Sequence, residues 1–154
     1  MNCAEIQYEE QKATLREIIQ HLSSASSNFV PPLETYIDIN KYARKIIKYS
    51  VTFEAWNKSE LVGLAAVYFN NENTRIGFCT NLSVLKEFQG MGIGTDLMNR
   101  VLNYGKGIGF IRLDLETKFV NKKAISFYKN FGFFCSGIHD DSLYFSYILS
   151  NCNE

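Results

Sequence analysis

The chain has 154 residues, 46% of them hydrophobic and 14% aromatic, with 16 basic and 16 acidic side chains and a formal net charge of zero. That length suits a single domain with its own core, and the charge balance excludes a long-range pull toward nucleic acid or an acidic membrane. No apolar run reaches membrane-spanning length and residues 1–10 lack the basic start and apolar core of a secretory signal, so the expected location is cytoplasmic.

Residues 3–10 make a poor first strand, after which Leu15, Ile18, Ile19 and Leu22 recur at helical spacing until the serine-rich stretch 23–27. Pro31 and Pro32 force an extended connection, and Asp38 is placed to cap a second helix carrying Tyr42, Ile46, Ile47 and Tyr49. Asn28, Phe29 and Val30 are thereby pinned between two helices. Strand patterning then takes over at 51–56, 61–69 and 75–84, with polar turns at 57–60 and 70–73, which predicts an antiparallel meander.

A glycine-rich turn follows. Beyond it Ile93, Leu97, Met98, Val101 and Leu102 mark a helix ending near Gly105 or Gly107, and residues 110–116 read as a strand, completing a right-handed strand-helix-strand unit. Asn121 can cap the next helix, in which Ala124, Ile125 and Tyr128 recur, with Gly132 placed for a left-handed stop. Strands near 133–136 and 143–149 finish the chain, joined by a polar turn at His139-Asp140-Asp141. The expected fold is therefore α/β, an α+β mixed sheet with helices on both faces, the meander preceding one parallel unit. Residues 1–154 form one domain in this reading, with the N-terminal helices in 1–50 and the core in 51–150.

The turn itself reads Gln89-Gly90-Met91-Gly92-Ile93-Gly94. Glycines let a backbone aim its N–H groups outward at a helix N-terminus, where the dipole favours negative charge, so the segment suits a pyrophosphate. A Walker-type loop would end in Gly-Lys-Ser/Thr, but Gly94 is followed by Thr95-Asp96. The dinucleotide fingerprint needs a different glycine spacing directly after the strand, and residues 85–89 intervene here. Cys3, Cys79, Cys135 and Cys152 show no Cys-x-x-Cys spacing, and the pattern of cysteines with His21 and His139 suggests neither a metal site nor a disulfide framework.

Three segments together resemble the GNAT superfamily of N-acetyltransferases: Asn81-Leu82-Ser83-Val84, then 89–94, then Asn121-Lys122-Lys123-Ala124-Ile125-Ser126-Phe127-Tyr128 running into Gly132-Phe133. Gln89, Gly92 and Gly94 satisfy the family's Gln/Arg-x-x-Gly-x-Gly/Ala signature, and the match spans about 51–149. The resemblance implies acetyl-CoA as co-substrate, with Gln89, Gly90, Met91, Gly92, Ile93, Gly94 and Thr95 holding the pyrophosphate of coenzyme A. It further implies that β-strand backbone at Leu82, Ser83 and Val84, freed by a bulge and a splay, pairs with the pantetheine amides and stabilises the oxyanion. Asn121 would contact the pantetheine arm and Tyr128 would protonate the departing thiolate.

Glu116, ending the strand 110–116, resembles in its spacing to Asn121 and Tyr128 the catalytic glutamate of the ribosomal-protein-alanine branch and is the leading base; Glu54, on the first meander strand, or water is the alternative. The resemblance further implies that the N-terminal helices build the acceptor pocket, with Asn28, Phe29, Pro31, Pro32 and Leu33 as candidates for its wall and Tyr68 and Glu54 beside them. The expected acceptor is a small primary amine such as an amino sugar or amino acid; a protein N-terminus or lysine stays open, as does a non-catalytic acyl-CoA-binding module. A monomer or a homodimer joined through its terminal strands is compatible with either.

Overall fold

The computed structural model describes residues 5–150. One seven-stranded mixed sheet runs through it, built from β1 (Gln7–Glu10), β2 (Val51–Asn57), β3 (Glu60–Tyr68), β4 (Ile76–Val84), β5 (Arg112–Lys118), β6 (Phe134–His139) and β7 (Ser142–Ile148) in the order β1-β2-β3-β4-β5-β7-β6. Every neighbouring pair is antiparallel except β4 and β5. The helices are α1 (Leu15–Ala25), α2 (Ile39–Tyr49), α3 (Ile93–Gly107) and α4 (Lys122–Phe131). The expected α/β architecture is what forms, a meander followed by a parallel crossover through α3.

Each helix begins where a side chain can satisfy its orphan amides. Thr14 and Glu17 form a reciprocal capping box on α1, Asp38 accepts from Lys41 N on α2, and Asn121 accepts from Ala124 N on α4. Gly132 ends α4 at φ +120°. The exception is α3, whose N-cap is Gly92 and which no side chain caps.

Both faces of the sheet are covered. On one, Ile18, Leu22 and Ile46 from α1 and α2 pack on Leu64 and Ala66; on the other, Leu97, Met98 and Val101 from α3 pack on Phe53, Val67 and Phe145 beside Tyr128 from α4. Double coverage explains the almost uninterrupted apolar run in β3, since both alternating faces of that strand are buried. Gly63 on β3 lets α3 approach closely, for a Cβ there would stand 2.9 Å from Ile93 Cγ2.

Several element boundaries differ from expectation; β6 runs to His139, taking that residue out of the expected turn. The first strand does form, because an edge strand with mostly exposed side chains needs little apolar alternation to pair with β2. The strand expected over 110–116 runs instead from Arg112 to Lys118, held by β7 through the Lys118–Ser142 pair, so Glu116 lies inside β5 and not at its end. Among the described cysteines, Cys79 is buried and Cys135 exposed, both as free thiols; Cys3 and Cys152 lie outside the described residues.

Glu54 is a correction of another kind. Alternation along β2 sends Phe53 and Ala55 toward α3 and Glu54 toward α1, where it is 0% exposed. Its carboxylate accepts from the backbone N–H of Lys12 (3.1 Å) and Ala13 (3.0 Å), from Thr52 Oγ1 (2.7 Å) and from Trp56 Nε1 (3.1 Å). It fastens the segment between β1 and α1 to the sheet and has no opening onto an acceptor. Glu54→Leu should strand those donors and lower the unfolding free energy by about 3 kcal/mol, read from the urea midpoint at constant m-value.

Candidate active site

The site originates in an early end to the parallel pairing. β4 and β5 pair from Ile76–Arg112 to Cys79–Leu115 and then part, although β4 continues to Val84 and β5 to Lys118. At the same place the β3–β4 register jumps from Ala66–Asn81 to Val67–Cys79, leaving Thr80 as an extra residue in β4. Such a bulge bends its strand and increases the local twist. Tyr42 of α2 holds it: the phenol donates to Thr80 O at 2.6 Å and lies 2.8 Å from Thr80 Oγ1. Burial pushes the Tyr42 phenol far above its ordinary range, so it remains a donor.

Beyond the bulge, Asn81 and Ser83 turn toward α1. Asn81 Nδ2 donates to Leu64 O (3.1 Å) and to Ser83 Oγ (2.9 Å), and His21 Nε2 lies 2.8 Å from Ser83 Oγ. His21 Nδ1 is 2.9 Å from Leu61 O, which can only accept, so Nδ1 carries the proton and Nε2 accepts from the serine. At 2% exposure, burial pushes the imidazole down to about 4.

The glycine turn faces the space between the parted strands. Gly90 and Gly92 adopt φ of +81° and +83°, the left-handed region that favours glycine. Gly94 is different: it is helical, and an added Cβ would meet only Phe127 at 3.6 Å, an ordinary contact. Nothing in the protein requires a glycine there, although glycine costs a helix about 1 kcal/mol relative to alanine. A cavity of about 460 Å³ lies over this turn, lined also by Leu82, Ser83, Val84, Ile93, Thr95 and Asn121. The uncapped amides of α3 and the open surface at Gly94 fit a diphosphate lying against backbone.

A second cavity, of about 330 Å³, opens on the other side of the splay between the α1–α2 connection and β5; its lining includes Phe29, Tyr36, Phe78, Glu116 and Lys118. Phe29, Leu82, Asn121 and Tyr128 line both cavities. Tyr128 packs edge-on against Phe127 and Phe133, with ring centroids 5.4 and 5.6 Å away. Burial raises its phenol well above the usual tyrosine range. Glu116 is exposed in the lining of this second cavity, and its charge is the largest cause of the raised phenol of Tyr144. Nearby, Lys118 ties the two rims together: its ammonium is 3.1 Å from Asp141 and 5.3 Å from the Tyr36 ring centroid.

Of the residues singled out from sequence, the structure thus gathers 82–84, Gln89, Gly90, 92–95, Asn121 and Tyr128 around one cavity, with Glu116 on the other and Phe29 on both. Met91 is 45% exposed and lies outside both linings, as does Tyr68, whose ring sits under Lys45 with its hydroxyl buried and unpartnered. The Val84 carbonyl is not free as expected: it accepts from Asn28 Nδ2 (3.2 Å) and Gln89 Nε2 (3.1 Å), because both amides reach the open edge of β4. Tyr42 and His21 had no distinguishing signal in the sequence, for the partners that give them meaning are remote along the chain. Among the described residues no group of three or more His, Cys, Asp or Glu is placed to hold a metal, and no helix is long and apolar enough to cross a membrane.

The comparisons with known proteins agree with this geometry. A profile of the acetyltransferase (GNAT) family matches residues 15–133. N-alpha-acetyltransferase 30 of Schizosaccharomyces pombe is 29% identical over 100 residues, covering 60% of this chain and 67% of that protein. The ribosomal-protein-S18-alanine N-acetyltransferase of Escherichia coli has a similar structure, with a TM-score of 0.80 at 17% identity over 97% of each chain. For the paia N-acetyltransferase of Thermoplasma acidophilum, solved in complex with coenzyme A, the TM-score is 0.73 at 16% identity, over 91% of this chain and 98% of that one. At such identities the two structures speak to the fold.

The buried imidazole has a consequence for acid stability. Because the His21 pKa is depressed from 6.5 to about 4 on folding, the unfolded chain takes up a proton first as pH falls, and stability drops between those values. The loss should approach about 3 kcal/mol at pH 4. Urea titrations from pH 7 to 4 should show that slope in the parent and a shallower one in His21→Asn.

Proposed function

The chain belongs to the acetyltransferase (GNAT) family, and on that premise we propose that it transfers an acetyl group from acetyl-CoA to the primary amine of a small molecule such as an amino sugar or amino acid. The observation that carries this reading is the meeting of the two cavities at Tyr128, one over the glycine turn and one beside Glu116. An acceptor cavity of about 330 Å³ suits a small amine, being near the lower end of ligand-site volumes. We assign the acceptor side to the residues before 50 together with β5, and the donor side to β4, α3 and α4.

When bound, acetyl-CoA supplies the thioester carbonyl that the amine attacks and the sulfur that leaves. The chain's own residues divide the rest. Backbone amides of 90–95 hold the pyrophosphate, and the open edge at 82–84 orients the arm and offers N–H groups to the developing oxyanion. Glu116, directly or through water, removes the proton that the attacking amine must lose. Glu54 is unsuited to that task because four donors occupy its carboxylate. Tyr128 delivers a proton to sulfur, since a phenol is protonated at neutral pH and can donate once negative charge develops beside it.

A second acceptor class, the α-amine of a protein, is favoured by one observation, the similarity to a protein named as an N-alpha-acetyltransferase. Thiol release from acetyl-CoA, assayed over amino sugars, amino acids and short peptides, separates the two. Turnover of at least one small amine is expected, whereas activity confined to peptides overturns the small-molecule assignment.

For the catalytic roles, Tyr128→Phe should lower turnover by about a hundredfold with little change in coenzyme A affinity. Unchanged turnover under conditions where chemistry limits the rate removes Tyr128 as the acid. Glu116→Gln should reduce turnover and flatten its pH profile; a profile and rate identical to the parent leave the proton to water.

A further inference from the structure

Among the described residues, the cavity over the glycine turn has one with a full charge in its lining, Lys123, in the first turn of α4. Its ammonium donates to Gln89 Oε1 at 3.0 Å, while Gln89 Nε2 donates to the Val84 carbonyl at 3.1 Å. The side chain of the signature glutamine is therefore occupied at both ends by protein. It acts as a strut from β4 to α4, with the lysine resting on its oxygen.

A neutral amide is a weak place for an ammonium. A diphosphate carries at least two negative charges, against which a helix N-terminus offers the equivalent of roughly half a positive charge. Exchanging the amide oxygen for an anionic phosphate oxygen turns an ordinary hydrogen bond into a charge-assisted one, and lysine serves phosphate as a mobile point charge. The strut holds that charge at the rim of the cavity.

Resting on the acetyl-CoA reading above, we propose that Lys123 binds the pyrophosphate of the donor, leaving Gln89 to the cation's resting position and to the Val84 carbonyl. Lys122, its neighbour on the same turn, is exposed and outside the lining, which makes it the matched control for a general loss of positive charge. Neither lysine is a proton-transfer group in the reaction, so binding without turnover is the direct readout.

Dissociation constants for coenzyme A, 3′-dephospho-coenzyme A and pantetheine, measured by titration calorimetry or ligand competition on Lys123→Met, Lys123→Arg and Lys122→Met, test the assignment. Lys123→Met should weaken coenzyme A and its dephospho form alike, by about tenfold, and leave pantetheine unchanged, since pantetheine lacks the pyrophosphate. Lys123→Arg should recover most of the affinity and Lys122→Met should resemble the parent. Unchanged coenzyme A affinity in Lys123→Met overturns the assignment; so does a loss confined to coenzyme A, which indicates the 3′-phosphate, or an equal loss for pantetheine, which indicates collapse of the cavity. An equal loss in Lys122→Met overturns it as well. If the parent binds no coenzyme A, the acetyl-CoA reading fails and this inference with it, whereas parental binding unaffected by Lys123→Met removes the inference alone.

Discussion

The parallel ladder between β4 and β5 stops after Cys79 and Leu115, and both cavities exist because of that stop. Buried backbone in the middle of a sheet normally has to be paired, so an unpaired stretch there needs a local cause and substitute partners. The cause is the extra residue Thr80, and Tyr42 supplies a partner for its carbonyl. At the far end of the opening Val84 is satisfied by two side-chain amides instead of a strand. The protein thus keeps an edge open inside its own sheet, which is the geometry that accepts an extended amide-bearing ligand as though it were another strand.

The two faces of the sheet hold that opening from opposite directions. On the α1–α2 side, His21 and Tyr42 reach down to residues just after and at the bulge, and Glu54 ties the chain ahead of α1 to β2. On the α3–α4 side, Ile93 is packed against Gly63 while the turn before it remains open to solvent. A hydrogen-bonded frame on the α1–α2 side and an open backbone turn therefore share β4, and Tyr128 lines both cavities beside them.

Much of this was legible in the residues. Asn121 and Gly132 bound α4 as their chemistry suggests, and the runs of strand-forming residues between polar turns mark β2 to β4. Glu54 was illegible as a structural group because its donors include backbone N–H groups of Lys12 and Ala13, which carry no side-chain signature. Tyr42 and Thr80 meet across 38 positions in sequence, and a bulge of one residue leaves the pattern of β4 looking like an ordinary strand. The shift of β5 by two residues follows from pairing with β7, a partner that local patterning cannot weigh.

Gly94 sets two kinds of selection against each other. Within the protein alone a methyl group would find room and the helix would favour it, so a screen for heat resistance, or a redesign guided by helix propensity, would choose alanine at this position. The surface such a change covers is backbone in the lining of the cavity over the glycine turn. Stability of the folded chain and preservation of the proposed coenzyme A site are different objectives at that residue, and optimising the first by thermal criteria alone would select against the second.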